Sequence, residues 1–316
     1  MKLSKDFKEI KGDASLRKFY RNTKKNSIII FANKKKNRNL LTYDAINKIL
    51  IRNKIIAPKL ISENYNKNYI EVQDLGNKTI YQTFVSNNLE NYFVFKKVIK
   101  VLNKMQLIKD KKVKNFRKNY YKIKEYENKI LLDEVKLFSN WYVPKKLTKN
   151  KINVFNYKFI KEVKLLLSKL KLKNDTFVHR DFHVSNLIIN SKNQIGLIDN
   201  QDALIGNKAY DLASLIDDVR YKTSNTLKDK IYKYYLTTNK KIEVNKFKND
   251  FDILSVLRNL KIIGIFMRLA ERDKKKKYLK LIPYAWNIID NRMSKNKVFD
   301  NLKLLLISNF SKFIIK

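Results

Sequence analysis

Both histidines of this 316-residue chain fall in one short window, and the polar residues around them have a defined spacing. The window runs His179-Arg180-Asp181-Phe182-His183-Val184-Ser185-Asn186, and the apolar run that follows ends in Gly196-Leu197-Ile198-Asp199. The pattern is H-x-D-x-x-x-x-N, then a gap the length of a hairpin, then a second aspartate. It predicts a polar loop after a short strand, followed by a strand pair that ends at a carboxylate.

Phosphoryl transfer from ATP needs this set of groups: one carboxylate at the acceptor hydroxyl, and an amide and a second carboxylate on Mg²⁺. Asp181 is therefore the predicted catalytic base. Asn186 and Asp199 are the predicted metal ligands, because Mg²⁺ prefers hard oxygen atoms and keeps several waters. His179 is predicted to support the metal loop structurally. His183 either supports the same loop or contacts the substrate.

The net charge of +41 comes from 70 Lys and Arg against 29 Asp and Glu. Lysines spread over the whole length favour a solvated surface over a specific nucleic-acid site, although a functional polyanion surface stays open. The absence of cysteine excludes disulfides, thiolate zinc sites and cysteine nucleophiles. No apolar run approaches ~18 residues. We therefore expect a cytoplasmic protein with no membrane partner, and the oligomeric state is left open.

The pattern predicts an α+β fold with two lobes, like that of protein kinases. Residues 1–76 form a small N-terminal nucleotide-binding lobe, an antiparallel sheet plus one helix, with a hinge at 73–76. Residues 77–316 form a larger, mainly helical C-terminal lobe with the catalytic loop and acceptor site. Strands are predicted at 7–10, 16–22, 27–32, 60–61, 69–72, 187–190 and 195–198. Helices are predicted at 40–53, 93–107, 157–172, 210–220 and 251–271.

Several further residues are expected to bind nucleotide or to order the site. The turn Gly12-Asp13-Ala14-Ser15 is predicted to cover the phosphates, and Gln73, Asp74 and Leu75 are predicted to face adenine through backbone groups. Asp211 is expected to fix the catalytic-loop geometry, with a simple helix cap as the alternative. Asp202 is a candidate contact to metal or substrate.

These residues resemble the aminoglycoside phosphotransferase/choline kinase-like superfamily, and most closely the bacterial anomeric N-acetylmuramate/N-acetylglucosamine kinases. The resemblance implies ATP and Mg²⁺ as cofactors and phosphorylation of the anomeric hydroxyl of a cell-wall amino sugar, in cell-wall sugar recycling. The matching blocks begin at residues 11, 72, 137, 179, 198 and 258: KGDASLRKFYR, VQDLG, LFSNW, HRDFHVSN, IDNQDA and RNLKIIGIF.

The chain departs from the kinase pattern at three places. The predicted third strand, 27–31, lacks the phosphate-binding lysine, and the helix after it lacks the glutamate that would pair with that lysine. Arg17 is the first candidate to replace the lysine, ahead of Lys18 and Arg21. Asn200 stands where relatives often have Phe, and Gln73 stands where Glu is commoner.

Glu134, Trp141, Arg258 and Asn259 are the predicted substrate residues, because a sugar needs a flat apolar face and a few directed hydrogen bonds. Core packing is the rival interpretation for Trp141. Two other functions remain open at this stage. One is a kinase of another small-molecule hydroxyl, of the aminoglycoside, choline or homoserine type. The other is a non-catalytic nucleotide-binding or nucleic-acid-binding protein.

Overall fold

A computed structural model describes residues 6–10, 17–34, 37–86 and 91–314, with side chains as far as 311. The predicted turn at 12–15 lies outside the described residues. The predicted α+β fold class is confirmed: a small antiparallel sheet with one helix against it precedes a mainly helical region. None of the described helices has the length and apolar character needed to cross a membrane.

The elements follow one another along the chain, and many agree with the sequence pattern. The strands are β1 (Phe7–Ile10), β2 (Lys18–Asn22), β3 (Ser27–Phe31), β4 (Leu60–Asn64), β5 (Tyr69–Gln73), β6 (Lys112–Lys114), β7 (Tyr120–Lys122), β8 (Asn174–Val178), β9 (Leu187–Ile189), β10 (Ile195–Leu197) and β11 (Leu204–Asn207). The helices are α1 (Arg38–Arg52), α2 (Ile80–Ser86), α3 (Asn91–Gln106), α4 (Asn128–Leu137), α5 (Lys149–Ser168), α6 (Ala209–Ile216), α7 (Asn225–Thr237), α8 (Val244–Glu271), α9 (Ile282–Met293) and α10 (Asp300–Ile314).

The chain divides into two compact units. Unit 1 comprises Met1–Lys124 and Phe177–Ile205, and unit 2 comprises Glu125–Thr176 and Gly206–Lys316. Unit 1 therefore contains the catalytic window as well as the N-terminal sheet. The predicted boundary between two lobes at 76/77 stays a prediction. The division into compact units is a different one, because it places residues 77–124 and 177–205 with the N-terminal sheet.

In unit 1, five antiparallel strands form a sheet of order β1-β2-β3-β5-β4. Helix α1 packs on it through apolar side chains, because positions 40, 43, 46 and 50 recur at helical spacing. The shared core consists of Ile30, Ala32, Leu40, Tyr43, Ile70 and Val72. This packing fixes α1 against the strands that precede and follow it.

The segment 177–205 is joined to the rest of unit 1 by main-chain pairing. Strands β9 and β10 form a hairpin, with Leu197 paired to Leu187. The Leu197 N–H donates to the Ile56 carbonyl over 2.8 Å, and Thr79 bridges Ile188 in antiparallel sense. The predicted catalytic and metal residues thereby flank a paired hairpin within the same unit as the N-terminal sheet.

The hairpin β6–β7 was missed by the sequence pattern, which predicted mostly helix after residue 79. Its strands are three residues each, with Val113 opposite Tyr121 and lysines at most other positions. Three residues are too few for the alternation of apolar and polar residues to stand out in a sequence. Their pairing is held by the intervening turn, where Asn115 accepts from the N–H groups of Arg117 and Asn119.

Unit 2 is built around the 28-residue helix α8, which is buried on almost every side from Asp250 to Ala270. A helix that is apolar all round must be enclosed by others, and α8 packs against α4, α6 and α9. It also approaches the π-helical turn Phe138–Tyr142 so closely that a Cβ on Gly264 would lie 2.2 Å from the Leu137 carbonyl carbon. Only glycine fits at that position.

Candidate active site

The catalytic window forms a tight loop whose atoms bond to one another. The Asn186 side-chain Nδ2 donates to the main-chain carbonyl of Asp181 over 3.0 Å, and the His183 N–H donates to the same carbonyl over 3.0 Å. Because Nδ2 of Asn186 is engaged in this way, its Oδ1 is the atom that can face a cation. Asp181 and Asn186 are separated by four residues, and the bond between them closes the loop.

His179 is fully buried, and its contacts define its tautomer. Nε2 lies 2.8 Å from the Oδ1 of Asn200 and 3.2 Å from the carbonyl oxygen of Ile198, both acceptors. Nδ1 accepts the N–H of Asp181 over 3.3 Å. The imidazole therefore carries its proton on Nε2, and it joins the loop of Asp181 to the strand end that bears Asp199.

Two backbone positions at this site are left-handed without being glycine. Arg180 has φ 74° and Asp199 has φ 63°. Such conformations cost about 1–3 kcal/mol each and persist where the surroundings over-determine them. Arg180 is also held by a bond from its Nη1 to the Asp202 carbonyl over 3.1 Å. The strain directs the Asp181 and Asp199 segments into fixed positions.

Arg17 binds the metal-site carboxylate directly. Its Nη2 donates to Asp199 Oδ1 over 2.6 Å, and its Nη1 donates to Gln201 Oε1 over 2.7 Å. Gln201 in turn donates to Asp202 Oδ2 over 2.8 Å. The guanidinium thus lies at the residue predicted to hold Mg²⁺ on the phosphates, where a phosphate-binding cation is needed. Asp202 itself is exposed, and its charge adds to burial in raising the pKa of Tyr121.

The two other candidates for the missing lysine are placed differently. Lys18 is exposed on β2. Arg21 donates from Nε to Asp74 Oδ2 over 2.5 Å and from Nη2 to the Gly76 carbonyl over 2.9 Å. The Asp74 carboxylate also accepts the Gly76 N–H over 2.9 Å. Arg21 therefore braces the predicted hinge, and Arg17 alone of the three reaches Asp199.

A cleft of about 590 Å³ opens in unit 1, within the size range of small-molecule sites. It is lined by Gln73, Asp74, Leu75 and Gly76 of the predicted hinge, together with residues of the segments 51–59 and 190–194 and Asn26. Gly76 has φ 129°, a conformation that other residues rarely adopt. The predicted hinge thus borders a cavity large enough for a nucleotide base, but Arg17, Asp181, Asn186 and Asp199 are not among the residues that line it. The predicted contact of residues 73–75 with adenine stays a prediction.

Helix α1 carries buried neutral groups that reach the segment after β10. Asn47 donates from Nδ2 to the Pro58 carbonyl over 2.9 Å, and its Oδ1 accepts from Asn200 Nδ2 over 2.8 Å. Tyr43, one turn earlier, is buried beside Asn47. Burial raises the pKa of the Tyr43 hydroxyl to about 12, although the nearby Arg17 charge lowers it and the Asp199 charge adds to the rise. Asn200, which stands where relatives often have Phe, is fully buried, and both polar atoms of its side chain form hydrogen bonds.

The donor set at this site suits Mg²⁺. Asn186 and Asp199 offer one amide and one carboxylate oxygen, which suffices for Mg²⁺ when phosphates and waters complete its shell. Across the described residues, no three His, Cys, Asp or Glu side chains gather into a metal cluster. Asn186 and Asp199 therefore stay the predicted ligands of a metal that a nucleotide would share.

The other predicted substrate residues lie in unit 2. Glu134 on α4 pairs with Lys261 Nζ over 2.9 Å and accepts from the Tyr126 hydroxyl. Trp141 lies in the π-helical turn, half-buried, and takes no part in the aromatic cluster around Phe138. π-Helical turns occur often at functional sites. Asp211 is buried in the first turn of α6, and its predicted role stays a prediction.

Helices α6 and α8 bury polar atoms that no described residue satisfies. Arg258 Nη1 and Asn259 Oδ1 on α8 are among them, although Asn259 Nδ2 bonds to the Ser255 carbonyl. The others on these helices are Arg268 Nε of α8 and Tyr210 OH and Ser214 Oγ of α6, and Asp218 Oδ2 lies just after α6. Buried polar groups nearly always have partners. The atoms of Arg258 and Asn259 are therefore candidate partners for a polar ligand.

Sequence reasoning did not identify Asn47, Gln201 or Asp218. Gln201 lay in the IDNQDA block and so was within reach of the pattern. Nothing in the local sequence distinguishes Asn47 from other polar residues of a helix, because its partner Asn200 lies 153 positions later. Asp218 follows the structural carboxylate Asp217 and is distinguished only by its burial and its unsatisfied oxygen.

Comparison with known proteins gives the family. The family model for the phosphotransferase enzyme family matches residues 6–242 of the chain. The chain belongs to this family. A protein of Neisseria meningitidis serogroup B named N-acetylmuramate/N-acetylglucosamine kinase is 28% identical over 242 residues, which cover 74% of this chain and 69% of that protein. A Pseudomonas putida protein of the same name is 26% identical over 282 residues, covering 86% and 78%.

A solved structure agrees with the fold. A choline/ethanolamine kinase family protein from Mesorhizobium loti superposes with a TM-score of 0.66 at 10% identity, covering 96% of this chain and 92% of that one. The resemblance noted from the sequence is confirmed. The protein is an ATP-dependent small-molecule kinase of the phosphotransferase family, so the non-catalytic alternative is set aside.

Proposed function

We propose that this phosphotransferase transfers the γ-phosphoryl group of ATP, with Mg²⁺, to the anomeric hydroxyl of N-acetylglucosamine or N-acetylmuramate. The observation that carries the proposal is the cluster of Asp181, Asn186, Asp199 and Arg17 within one compact unit. The names of the relatives support a sugar acceptor.

In the proposed reaction, the Asp181 carboxylate orients the anomeric hydroxyl and takes its proton. The sugar oxygen then bonds to the γ-phosphorus as the bond to the β–γ bridging oxygen breaks, and ADP leaves. The anomeric hydroxyl is the most acidic hydroxyl of a free sugar, so a carboxylate base suits it. Asn186 and Asp199 would hold Mg²⁺, which when bound neutralises charge on the phosphates. Arg17 supplies a second positive charge there.

The acceptor is proposed to be polar and rich in hydrogen-bonding groups. The unsatisfied atoms of Arg258 and Asn259 support this, since hydroxyl and acetamido groups could pair with them. The half-buried ring of Trp141 offers an apolar face of the kind that sugar rings stack on. Glu134 is already paired with Lys261 and Tyr126, so we expect it to order its neighbours. Asp202 and His183 remain proposed substrate contacts.

The deciding experiment identifies the product. The purified protein is incubated with Mg²⁺, ATP and each amino sugar, and the product is examined by a reducing-end assay and by ³¹P–¹H coupling. We expect a non-reducing sugar 1-phosphate whose phosphorus couples to the anomeric proton. A product that still reduces, or whose phosphorus couples to the C6 protons, would contradict the anomeric assignment and leave the kinase assignment intact.

Asp181→Asn tests the catalytic base. We expect turnover to fall roughly 10²–10⁴-fold while Mg²⁺-dependent ADP binding stays near that of the wild type, because the carboxylate acts on the acceptor. Asp133→Asn is the matched control, since that side chain is exposed and pairs only with Lys136 three residues on. Turnover of Asp181→Asn within about threefold of the control would refute the role of Asp181.

A further inference from the structure

A single directed chain of hydrogen bonds runs through unit 1 from the cleft to the catalytic loop. The Asp181 N–H donates to His179 Nδ1, and His179 Nε2 donates to Asn200 Oδ1. Asn200 Nδ2 donates to Asn47 Oδ1, and Asn47 Nδ2 donates to the Pro58 carbonyl. Each amide uses its oxygen as acceptor and its nitrogen as donor, so the chain has one consistent orientation.

One end of this chain lies beside the cleft, and the other lies beside the predicted site residues. Pro58 stands between Ala57 and Lys59, which line the cleft. At the other end, Asn200 follows Asp199 directly, and His179 receives the N–H of Asp181. The chain therefore connects the cleft wall, through α1, to the predicted metal ligand and the predicted base.

Packing alone does not explain the pair of amides. Asn47 is 3% exposed and Asn200 is 0% exposed. A buried amide pair adds little net stability, because its desolvation offsets most of the gain from the bond. An apolar pair of similar shape would pack at least as well. A polar pair does, however, allow one relative position of α1 and the metal loop and disfavours others, because any shift leaves an amide unsatisfied.

We infer that Asn47 and Asn200 are positioning residues that hold Asp199 in its metal-binding geometry by tying the metal loop to α1 and the cleft wall. They take the place of the ion pair that the chain lacks. This inference rests on the proposed role of Asp199 as a ligand of Mg²⁺ and does not depend on which acceptor is used.

The test separates positioning from stability. Asn47→Leu and Asn200→Leu each leave the amide of the other residue without its partner. The double variant removes both amides, so that only the side-chain donors to the Pro58 and Leu197 carbonyls are lost, while His179 Nε2 keeps the Ile198 carbonyl. Replacing both partners by apolar groups of similar shape is often nearly neutral for stability. Thermal unfolding is measured for all three variants beside calorimetric binding of ADP at several Mg²⁺ concentrations, a measurement that needs no sugar.

We expect the double variant to recover most of the melting temperature lost by Asn200→Leu. Its Mg²⁺-dependent ADP binding should nevertheless stay at least about fivefold weaker than in the wild type, since a loop that samples other positions has fewer binding-competent molecules. ADP binding that recovers in parallel with the melting temperature would show that the pair is only structural and would overturn the inference.

Two further measurements guard the result. Asn22→Ala is the control, because Asn22 is a buried asparagine of the same unit whose Oδ1 accepts from the N–H groups of Lys24 and Lys25 in the β2–β3 turn. The Mg²⁺-dependent ADP binding of this control should match the wild type.

If the leucine variants do not fold, hydrogen exchange of Asn47→Ala decides the question. Faster exchange confined to residues around 197–203 supports positioning, and unchanged exchange there refutes it. Wild-type ADP binding that ignores Mg²⁺ would instead refute the metal role itself.

Discussion

The charge of Asp217 should make a large and pH-dependent contribution to stability. Asp217 follows α6 and is 1% exposed. It accepts from Lys228 Nζ over 2.9 Å, from Ser255 Oγ over 2.6 Å and from Arg292 Nε over 2.8 Å. The carboxylate thereby joins the end of α6 to α7, α8 and α9.

The magnitude follows from its pKa. Burial alone would raise the pKa of Asp217, but the charges of Arg292 and Lys228 outweigh burial and lower it from 3.8 to about 2. A carboxyl whose pKa is lower in the folded than in the unfolded state stabilises the fold fully above the unfolded pKa. The contribution is lost as the pH falls through the folded pKa. This lowering of the pKa from 3.8 to about 2 corresponds to ~2 kcal/mol of unfolding free energy at pH 7, of which about half remains at pH 3.

Asp217→Asn tests this by urea unfolding at pH 7 and at pH 3, with Asp133→Asn as an exposed control. We expect the variant to lose ~2 kcal/mol of unfolding free energy at pH 7, or up to ~5 kcal/mol if the two cations are left poorly compensated. The difference from wild type should shrink by about 1 kcal/mol at pH 3. A loss below about 0.5 kcal/mol at pH 7, or one of equal size at both pH values, would refute the reasoning.

Three further results are expected. Gly264→Ala should lower the unfolding free energy by at least ~1–3 kcal/mol, because its Cβ would lie 2.2–2.4 Å from main-chain atoms of residues 137 and 138; unchanged denaturant midpoints would contradict this contact. Arg21→Met should raise the KM for ATP severalfold with a smaller change in kcat, since it removes the brace of the hinge; an unchanged KM would count against that role. Arg258→Met should raise the KM for N-acetylmuramate, which bears a carboxylate, more than that for N-acetylglucosamine. Equal effects on both sugars would argue against a charge contact.

The sheet and α1 followed from sequence because they are local. Their strands and helix repeat apolar residues with periods of 2 and 3.6, and the structure gives β3 and α1 within two residues of the predicted bounds. The hairpin β6–β7 had no such period and was missed. Helix α5 begins at Lys149, eight residues before the predicted start, because its first turns are largely exposed.

The site was predictable where chemistry limits the residue type. Mg²⁺ favours a carboxylate and an amide oxygen, so the spacing of Asn186 and Asp199 was enough to predict them as ligands, and that role stays a prediction. Arg17 was preferred among three cations, and its bond to Asp199 favours that choice. The role of Asn47 was not predictable, because it depends on Asn200, a residue that lies far away along the chain. Sequence alone likewise gave no reason for Asn200 to replace an apolar residue.

The long separation between Asn47 and Asn200 has a consequence for biosynthesis. Strands β1 to β5 and α1 can pair as soon as they leave the ribosome, yet the partner of Asn47 is 153 residues further on and that of Arg17 is 182 residues further on. At about 5–20 residues per second, translation of that interval takes roughly 8–30 s. During this time a buried amide and a guanidinium of the nascent N-terminal segment lack their final partners. The contacts of Arg17 and Asn47 with the segment 199–201 are thus completed late, and nascent chains shorter than about residue 200 are the stage at which a chaperone would be needed.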